Sequence, residues 1–277
     1  MRLFTISDLH IDFQENRHWL FNLSRQDYQE DLLIVAGDLT PDVDELRNAM
    51  AFLKKCFKFV FFVPGNHDLS IKDGRGFNSL EKFYLLQLVL QEEGISLEPL
   101  CINKINIVPL YSWYDFSFGL PGPLLRRAWN DFKQCEWPAS LPFASIEQFF
   151  ARQNQSIPFT DFPLISFSHF LPRLDLLPWL SRQRKGYLLP VLGSTLLEKQ
   201  IRSLKPLLHI YGHSHLNRDV VLEKIRYINN AFGYPHEKTI AAKKLKEITL
   251  PLPLPHPETL AIPAPLPGVV SPPISTD

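Results

Sequence analysis

The sequence predicts an α/β fold. Short apolar runs rich in β-branched and aromatic residues recur along the chain, each too short to be a helix. Amphipathic stretches with helix start and stop signals separate several of them. Most of the runs are continuously apolar rather than alternating, as expected of strands covered on both faces of a largely parallel sheet.

In chain order, Leu3-Phe4-Thr5-Ile6-Ser7 reads as the first strand and stops at Asp8-Leu9-His10. Leu32-Leu33-Ile34-Val35-Ala36 reads as the second and stops at Gly37-Asp38. A helix is expected from about Pro41 to Phe57. Thr40 can cap it, Asp42, Asp44 and Glu45 crowd its first turn, and Lys54, Lys55 and Lys58 lie near its other end, the charge order a helix dipole favours. The third strand, Phe59 to Val63, breaks at Pro64-Gly65 and delivers Asn66, His67 and Asp68. A right-handed β-α-β crossover is the economical connection between the second and third strands.

A second helix should span Ser79 to Glu93, stopped by Gly94, and Ile105 to Leu110 reads as a strand. From Trp113 to about Pro158 the chain is rich in aromatics, Pro and Arg, with helical character only over Ile146 to Arg152. Strands resume at Phe162 to Phe167, ending in Ser168-His169, and at Pro206 to Tyr211, ending in Gly212-His213-Ser214-His215. Between them a helix from Thr195 to Leu204 is expected, with Glu198 placed for a capping box. Arg226 to Asn230 reads as the last strand. Residues 248–277 alternate Pro with Leu, Ala and Ser, which predicts a disordered or polyproline tail after a domain of residues 1–247.

With 277 residues and an apolar fraction of 45%, the chain can bury a large core. Lys plus Arg equals Asp plus Glu, 29 each, so no global field draws it to nucleic acid or an anionic membrane. Two local basic clusters, Arg126-Arg127 and Arg182, Arg184 and Lys185, read as solvated surface or as contact points. Cys56, Cys101 and Cys135 are too widely spaced for a zinc ribbon and odd in number, which fits reduced thiols. The absence of a signal segment or membrane-length apolar run predicts a cytoplasmic protein.

Five strands end in groups that can bind a metal: Asp8 with His10, Asp38, Asn66 with His67, His169, and His213 with His215. Carboxyl ends of strands in open α/β sheets share one edge, where sites are built. In an extended segment, residues two apart point the same way, so Asp8/His10 and His213/His215 can each aim both side chains into one pocket. Taken singly, Asp8 is an ordinary turn residue and His169 a buried core histidine. Five such placements in one chain are not explained that way.

The order Asp8-x-His10, Gly37-Asp38, Gly65-Asn66-His67-Asp68, His169, Gly212-His213-Ser214-His215 closely resembles the calcineurin-like metallophosphoesterases, over about residues 1–232. The resemblance implies a four-layer αββα sandwich of mixed β-sheets around a dinuclear metal centre. It implies Asp8, His10, Asp38 and His215 as ligands of one ion and Asp38, Asn66, His169 and His213 as ligands of the other. His67 matches the family histidine that contacts the phosphate and assists the leaving group, so Asn66 and His67 are the implied substrate contacts. The reaction implied is hydrolysis of a phosphomonoester or phosphodiester by in-line attack of a metal-bridging hydroxide.

Two divalent ions bring four positive charges, of which Asp8 and Asp38 neutralise two; the rest suits a phosphate and a hydroxide. Nitrogen and oxygen donors without thiolate fit Mn, Fe or Zn. In family members an Asp shortly after the second signature Asp orients the catalytic His. Here Pro41 displaces that spacing and leaves Asp42 as a candidate, while Asp68 reads as a support behind the ligands or, the favoured reading, a turn residue. Arg75 and Arg173 could meet a phosphate or form surface ion pairs. Trp113 and Tyr114 could stack on a leaving group or pack in the core, and Tyr234 and His236 could rim the pocket. A small phosphoester is favoured as substrate over nucleic acid or a phosphoprotein. The reading from a different class is a non-catalytic protein-binding scaffold on the same fold, which degraded ligands or loss of His67 would favour; neither occurs.

Overall fold

The computed structural model describes residues 1–71, 76–154, 161–184, 186–241 and 243–250. The strands are β1 (Leu3–Ile6), β2 (Leu32–Val35), β3 (Phe59–Phe62), β4 (Leu100–Ile102), β5 (Ile105–Pro109), β6 (Leu164–Phe167), β7 (Leu208–Tyr211), β8 (Arg218–Leu222), β9 (Ile225–Asn229) and β10 (Lys246–Ile248). The helices are α1 (Gln14–Phe21), α2 (Val43–Cys56), α3 (Ser79–Glu92), α4 (Pro123–Ala128), α5 (Asp131–Gln134), α6 (Phe143–Gln153), α7 (Trp179–Arg184) and α8 (Thr195–Leu204). Two 3-10 turns cover Leu174–Leu176 and Gly186–Val191.

Two mixed sheets result. One has the order β10-β1-β2-β3, the other β4-β5-β6-β7-β9-β8. The inner pairings, β1-β2-β3 and β5-β6-β7-β9, are parallel; β10, β4 and β8 are antiparallel edges. Apolar residues of both sheets share the larger core, where Phe61 of β3 meets Phe167 of β6 edge-on. A second core lies between the six-stranded sheet and Leu197 and Ile201 of α8. This is the four-layer arrangement the resemblance implied. It lays the carboxyl ends of β1, β2, β3, β6 and β7 along one edge.

Several local expectations need correction. Asp42, not Thr40, caps α2, its carboxylate accepting the Glu45 N–H at 2.8 Å. Ser194 caps α8, and no capping box forms there; Glu198 instead accepts from Arg202 at 2.7 Å and pairs with Arg173. The strand at Arg226 is not the last, and Ile248, expected to open the tail, ends a further strand. β10 pairs with β1, setting Ile248 opposite Leu3, because its short run closes the open edge of β1. Residues 251–277, most of the expected tail, lie outside those described. Trp113 and Tyr114 are core residues, stacked on each other and edge-on to Phe170.

α6 brings a buried carboxylate under this aromatic cluster. Glu147 accepts the Trp113 N–H, and burial pushes its acid up to about 8. A carboxyl raised above its unfolded value is favoured in its neutral form. Its stabilising contribution is complete below about pH 4.5 and is lost as pH rises toward 8. Glu147→Gln, which keeps an acceptor for Trp113, is therefore expected to melt higher than wild type at pH 8 and to match it near pH 4.5. Thermal melts across that range check this, and a constant difference at all pH values would refute it.

Candidate metal centre

The strand ends are laced together by their own backbone. Asp8 N–H donates to Gly37 O, His10 N–H to Asp38 O and Gly212 N–H to His169 O. His213 N–H donates to the Asp8 carboxylate at 3.0 Å. Asp8, His10, Asp38, His213 and His215 all have left-handed backbones, with φ between 43° and 65°. Such conformations cost about 1 kcal/mol or more each for non-glycine residues and persist where surrounding bonds fix them. The expected extended geometry is thus not what aims these side chains; sharp left-handed turns do. His213 and His215 consequently serve two donor groups within one pocket.

The donors converge in overlapping sets. Asp8, His10 and His215 each place a ligand atom within 4.8 Å of the other two, as do Asp38, His169 and His213. His10, Asp38 and His67 form a third such set. Asn66 joins the second set, its Oδ1 3.3 Å from His169 Nε2.

Hydrogen bonds behind the rings fix which nitrogen faces inward. His169 Nδ1–H donates to Ala36 O at 2.9 Å, and His213 Nε2–H to Val191 O at 3.0 Å. His215 Nδ1–H donates to Glu237 at 2.5 Å. The opposite nitrogens point at other donors: His169 Nε2 to His213 Nδ1 at 3.1 Å, and His10 Nε2 to His215 Nε2 at 3.2 Å. Donors sharing an ion at about 2.0–2.2 Å would be spaced roughly 3.0–3.4 Å apart, so the set fits a cation. Acceptors behind ligating imidazoles are the usual second requirement of such sites.

Electrostatics agree. Burial opposes charge on His215 and His169, yet Asp8 with Glu237 raises the first to about 10, and Asp38 raises the second to about 9. Burial also works against the Asp8 carboxylate, but His215 holds it down at about 2. Burial, joined by the neighbouring His169, pushes His213 down to about 3 against the pull of Asp38 and Asp8. Three carboxylates, Asp8, Asp38 and Glu237, thus favour positive charge where the donors converge.

Gly65 shows how tightly the centre is packed. A Cβ there would lie 2.1 Å from Asp38 Oδ1 and 2.7 Å from His169 Nε2. Asp68, expected to be a turn residue, is fully buried and accepts four backbone N–H groups. Its Oδ2 takes Asp38 and Gly65, each at 2.8 Å, and its Oδ1 takes Leu39 at 2.8 Å and Thr40 at 3.0 Å.

Three more residues shape the site. Glu237 backs His215. Asp131 accepts from Asn66 Nδ2 at 2.9 Å and from the Trp129 indole at 2.8 Å, which turns Asn66 Oδ1 toward His169. The Tyr234 hydroxyl lies 3.4 Å from His67 Nε2, and its ring stacks on His10. Tyr234 therefore does line the pocket. Asp42, spent on its helix cap, is not the partner recorded for His67. Arg173 is held by Asp175, Glu198 and Glu223, and Arg75 lies outside the described residues.

A pocket opens over this centre. Asp38, Asn66, His67, His213 and His215 form its polar side; Trp129, Leu177, Leu188, Leu189 and Leu192 form an apolar wall.

A family model described as calcineurin-like phosphoesterase matches residues 1–217. The chain belongs to that family. It is a metal-dependent phosphoric ester hydrolase of a dinuclear-metal family, with groups of donors that can hold the ions. A curated relative, the [acyl-carrier-protein] phosphodiesterase PptH of Mycobacterium tuberculosis, is 25% identical over an alignment 263 residues long that covers 85% of this chain and 78% of the relative. The crystal structure titled phosphopantetheinyl hydrolase (PptH) from the same organism superposes with a TM-score of 0.70 at 23% identity. That match covers 92% of this chain and 96% of the other, and at this identity it speaks for the fold. Among the described residues no helix is long and apolar enough to cross a membrane.

Proposed function

We propose that this phosphoesterase is a phosphodiesterase that cleaves a phosphopantetheinyl arm from an acyl carrier protein. The observation that carries the reading is the two-sided pocket. A phosphate seated at the polar side would leave its ester substituent against the wall of Leu177, Leu188, Leu189 and Leu192, where a long, partly apolar arm gains contact. The 25% identical relative named for that reaction supports the choice of arm.

In this reading Asp8, His10, Asp38 and His215 hold one ion, and Asp38, Asn66, His169 and His213 hold the other. Their nitrogen and oxygen donors suit Mn, Fe or Zn. Such ions would supply a nucleophile from water at neutral pH and offset charge on the phosphoryl oxygens. The chain does the rest. Asp131 holds the Asn66 amide in place, Glu237 holds the His215 tautomer, and Tyr234 lies within reach of the His67 ring. His67, half-buried at the pocket's polar side, orients the phosphate and gives a proton to the leaving oxygen.

The test uses metal-loaded protein with bis-p-nitrophenyl phosphate, p-nitrophenyl phosphate and a holo acyl carrier protein, with metals quantified. The expected result is about two ions per chain, faster turnover of the diester than of the monoester, and conversion of holo to apo carrier protein by mass spectrometry. Monoester turnover alone, with the carrier protein untouched, would sink the reading.

A further inference from the structure

The elements that wall the pocket also carry an exposed apolar surface. Leu120 and Leu124, at and before α4, are 88% and 64% exposed; Trp179 and Leu180 of α7 are 63% and 58% exposed; Tyr187 of the 3-10 turn is 52% exposed. These elements adjoin. α4 and α7 both pack on the Gly186–Val191 turn, and Gly119 lies against Pro190. Trp129, Ser181, Leu188 and Leu189, from the same stretch of chain, face into the pocket. Large side chains that a soluble chain leaves in water, gathered beside a catalytic pocket, mark an interaction surface.

The two stretches of chain that carry this surface are rich in bases and poor in acids. Arg126, Arg127 and Lys133 are exposed, and the only carboxylate between Phe116 and Gln134 is the buried Asp131. Between Leu176 and Leu197 the sequence has no acidic residue, and among the described side chains Arg182 of α7 adds a base. In a chain with as many acids as bases, two acid-free stretches meeting at one place make a local positive field.

We propose that this surface docks an acidic protein face with apolar anchors, that of the carrier protein whose arm enters the pocket; this rests on the carrier-protein reading above. Apolar anchors ringed by basic groups fit such a partner, the anchors giving affinity and the charges steering encounter. An anionic membrane would also be drawn to basic and apolar groups. It is the weaker fit, because a membrane on this face would cover the mouth through which the substrate must pass.

The experiment compares wild type with R126E/R127E, Leu124→Ser and Trp179→Ser on holo acyl carrier protein and on bis-p-nitrophenyl phosphate. KM for the carrier protein should rise by about tenfold or more in R126E/R127E, and for wild type it should rise with added salt. The small diester should turn over within about twofold of wild type in every variant, which also verifies folding. If wild type cleaves the carrier protein and the variants do so with unchanged KM, the docking surface is wrong while the substrate reading stands. If wild type cleaves only the small diester, the substrate reading fails and the docking proposal with it. Retention of wild type but not R126E/R127E on phosphatidylglycerol vesicles, with carrier-protein kinetics unaltered, would assign the surface to a membrane and overturn the proposal.

Discussion

Asp38→Asn is expected to lose bound metal and phosphoesterase activity together, with kcat/KM on bis-p-nitrophenyl phosphate down by about 10³-fold or more. Asp38 belongs to two of the three donor sets, and its Oδ2 lies 3.3 Å from His169 Nε2 while Oδ1 accepts the His67 N–H at 2.9 Å. An amide of the same shape removes one of the two carboxylate charges proposed to balance the ions and turns one acceptor into a donor facing other donors. His67→Ala separates binding from chemistry. Its backbone N–H, which holds Asp38, survives the substitution, so metal content should stay near two ions while kcat falls by about 10²–10⁴-fold. Because His67 also sits within reach of His10 and Asp38, metal analysis is the decisive readout. Equal metal loss in the two variants would make His67 a ligand and overturn its assignment to the substrate.

The parallel centre of each sheet was legible because its strands are short apolar-rich runs, and β1, β2, β3, β6 and β7 each run on into Gly, Asp or His. The antiparallel edges were not. β4 and β8 join their neighbours through the two-residue turns Asn103-Lys104 and Glu223-Lys224, all four residues with positive φ. Such turns usually announce themselves with Gly, and Glu-Lys gives no such signal. β10 is three residues long and two-thirds charged, below what periodicity can detect. All seven proposed ligands and His67 were visible as strand-end residues, and the structure brings them together. What holds them was mostly hidden: Asp131 opens the four-residue helix α5 and Glu237 comes from a loop, neither in a stretch with a detectable period, while Tyr234 was legible as a residue of the pocket rim. Asp68 was in plain view and misjudged: a buried carboxylate and a turn carboxylate read alike until its N–H partners from β2's end are known.

Those partners make Asp68→Asn the second large effect, on the fold of the site rather than on its chemistry. Burial first, then the neighbouring Asp38, pushes the Asp68 carboxyl up to about 6, and the N–H groups of Gly65, Thr40 and Leu39 pull against that rise. It is therefore a carboxylate at pH 7.5, with each oxygen taking two N–H donors. Asparagine keeps one acceptor and sets an NH2 against the other two donors in a space with no water access. At about 1.5–3 kcal/mol for each hydrogen bond to a charged group, two such losses come to roughly 3–6 kcal/mol. In a chain of this size that corresponds to a fall in Tm of the order of 10 °C. The Gly37-Asp38 and Gly65-Asn66-His67 turns share this one carboxylate, so metal content should fall as well, although Asp68 belongs to none of the three donor sets. Asp68→Asn melting within about 2 °C of wild type with both ions retained would show that the two turns are held by something other than this carboxylate.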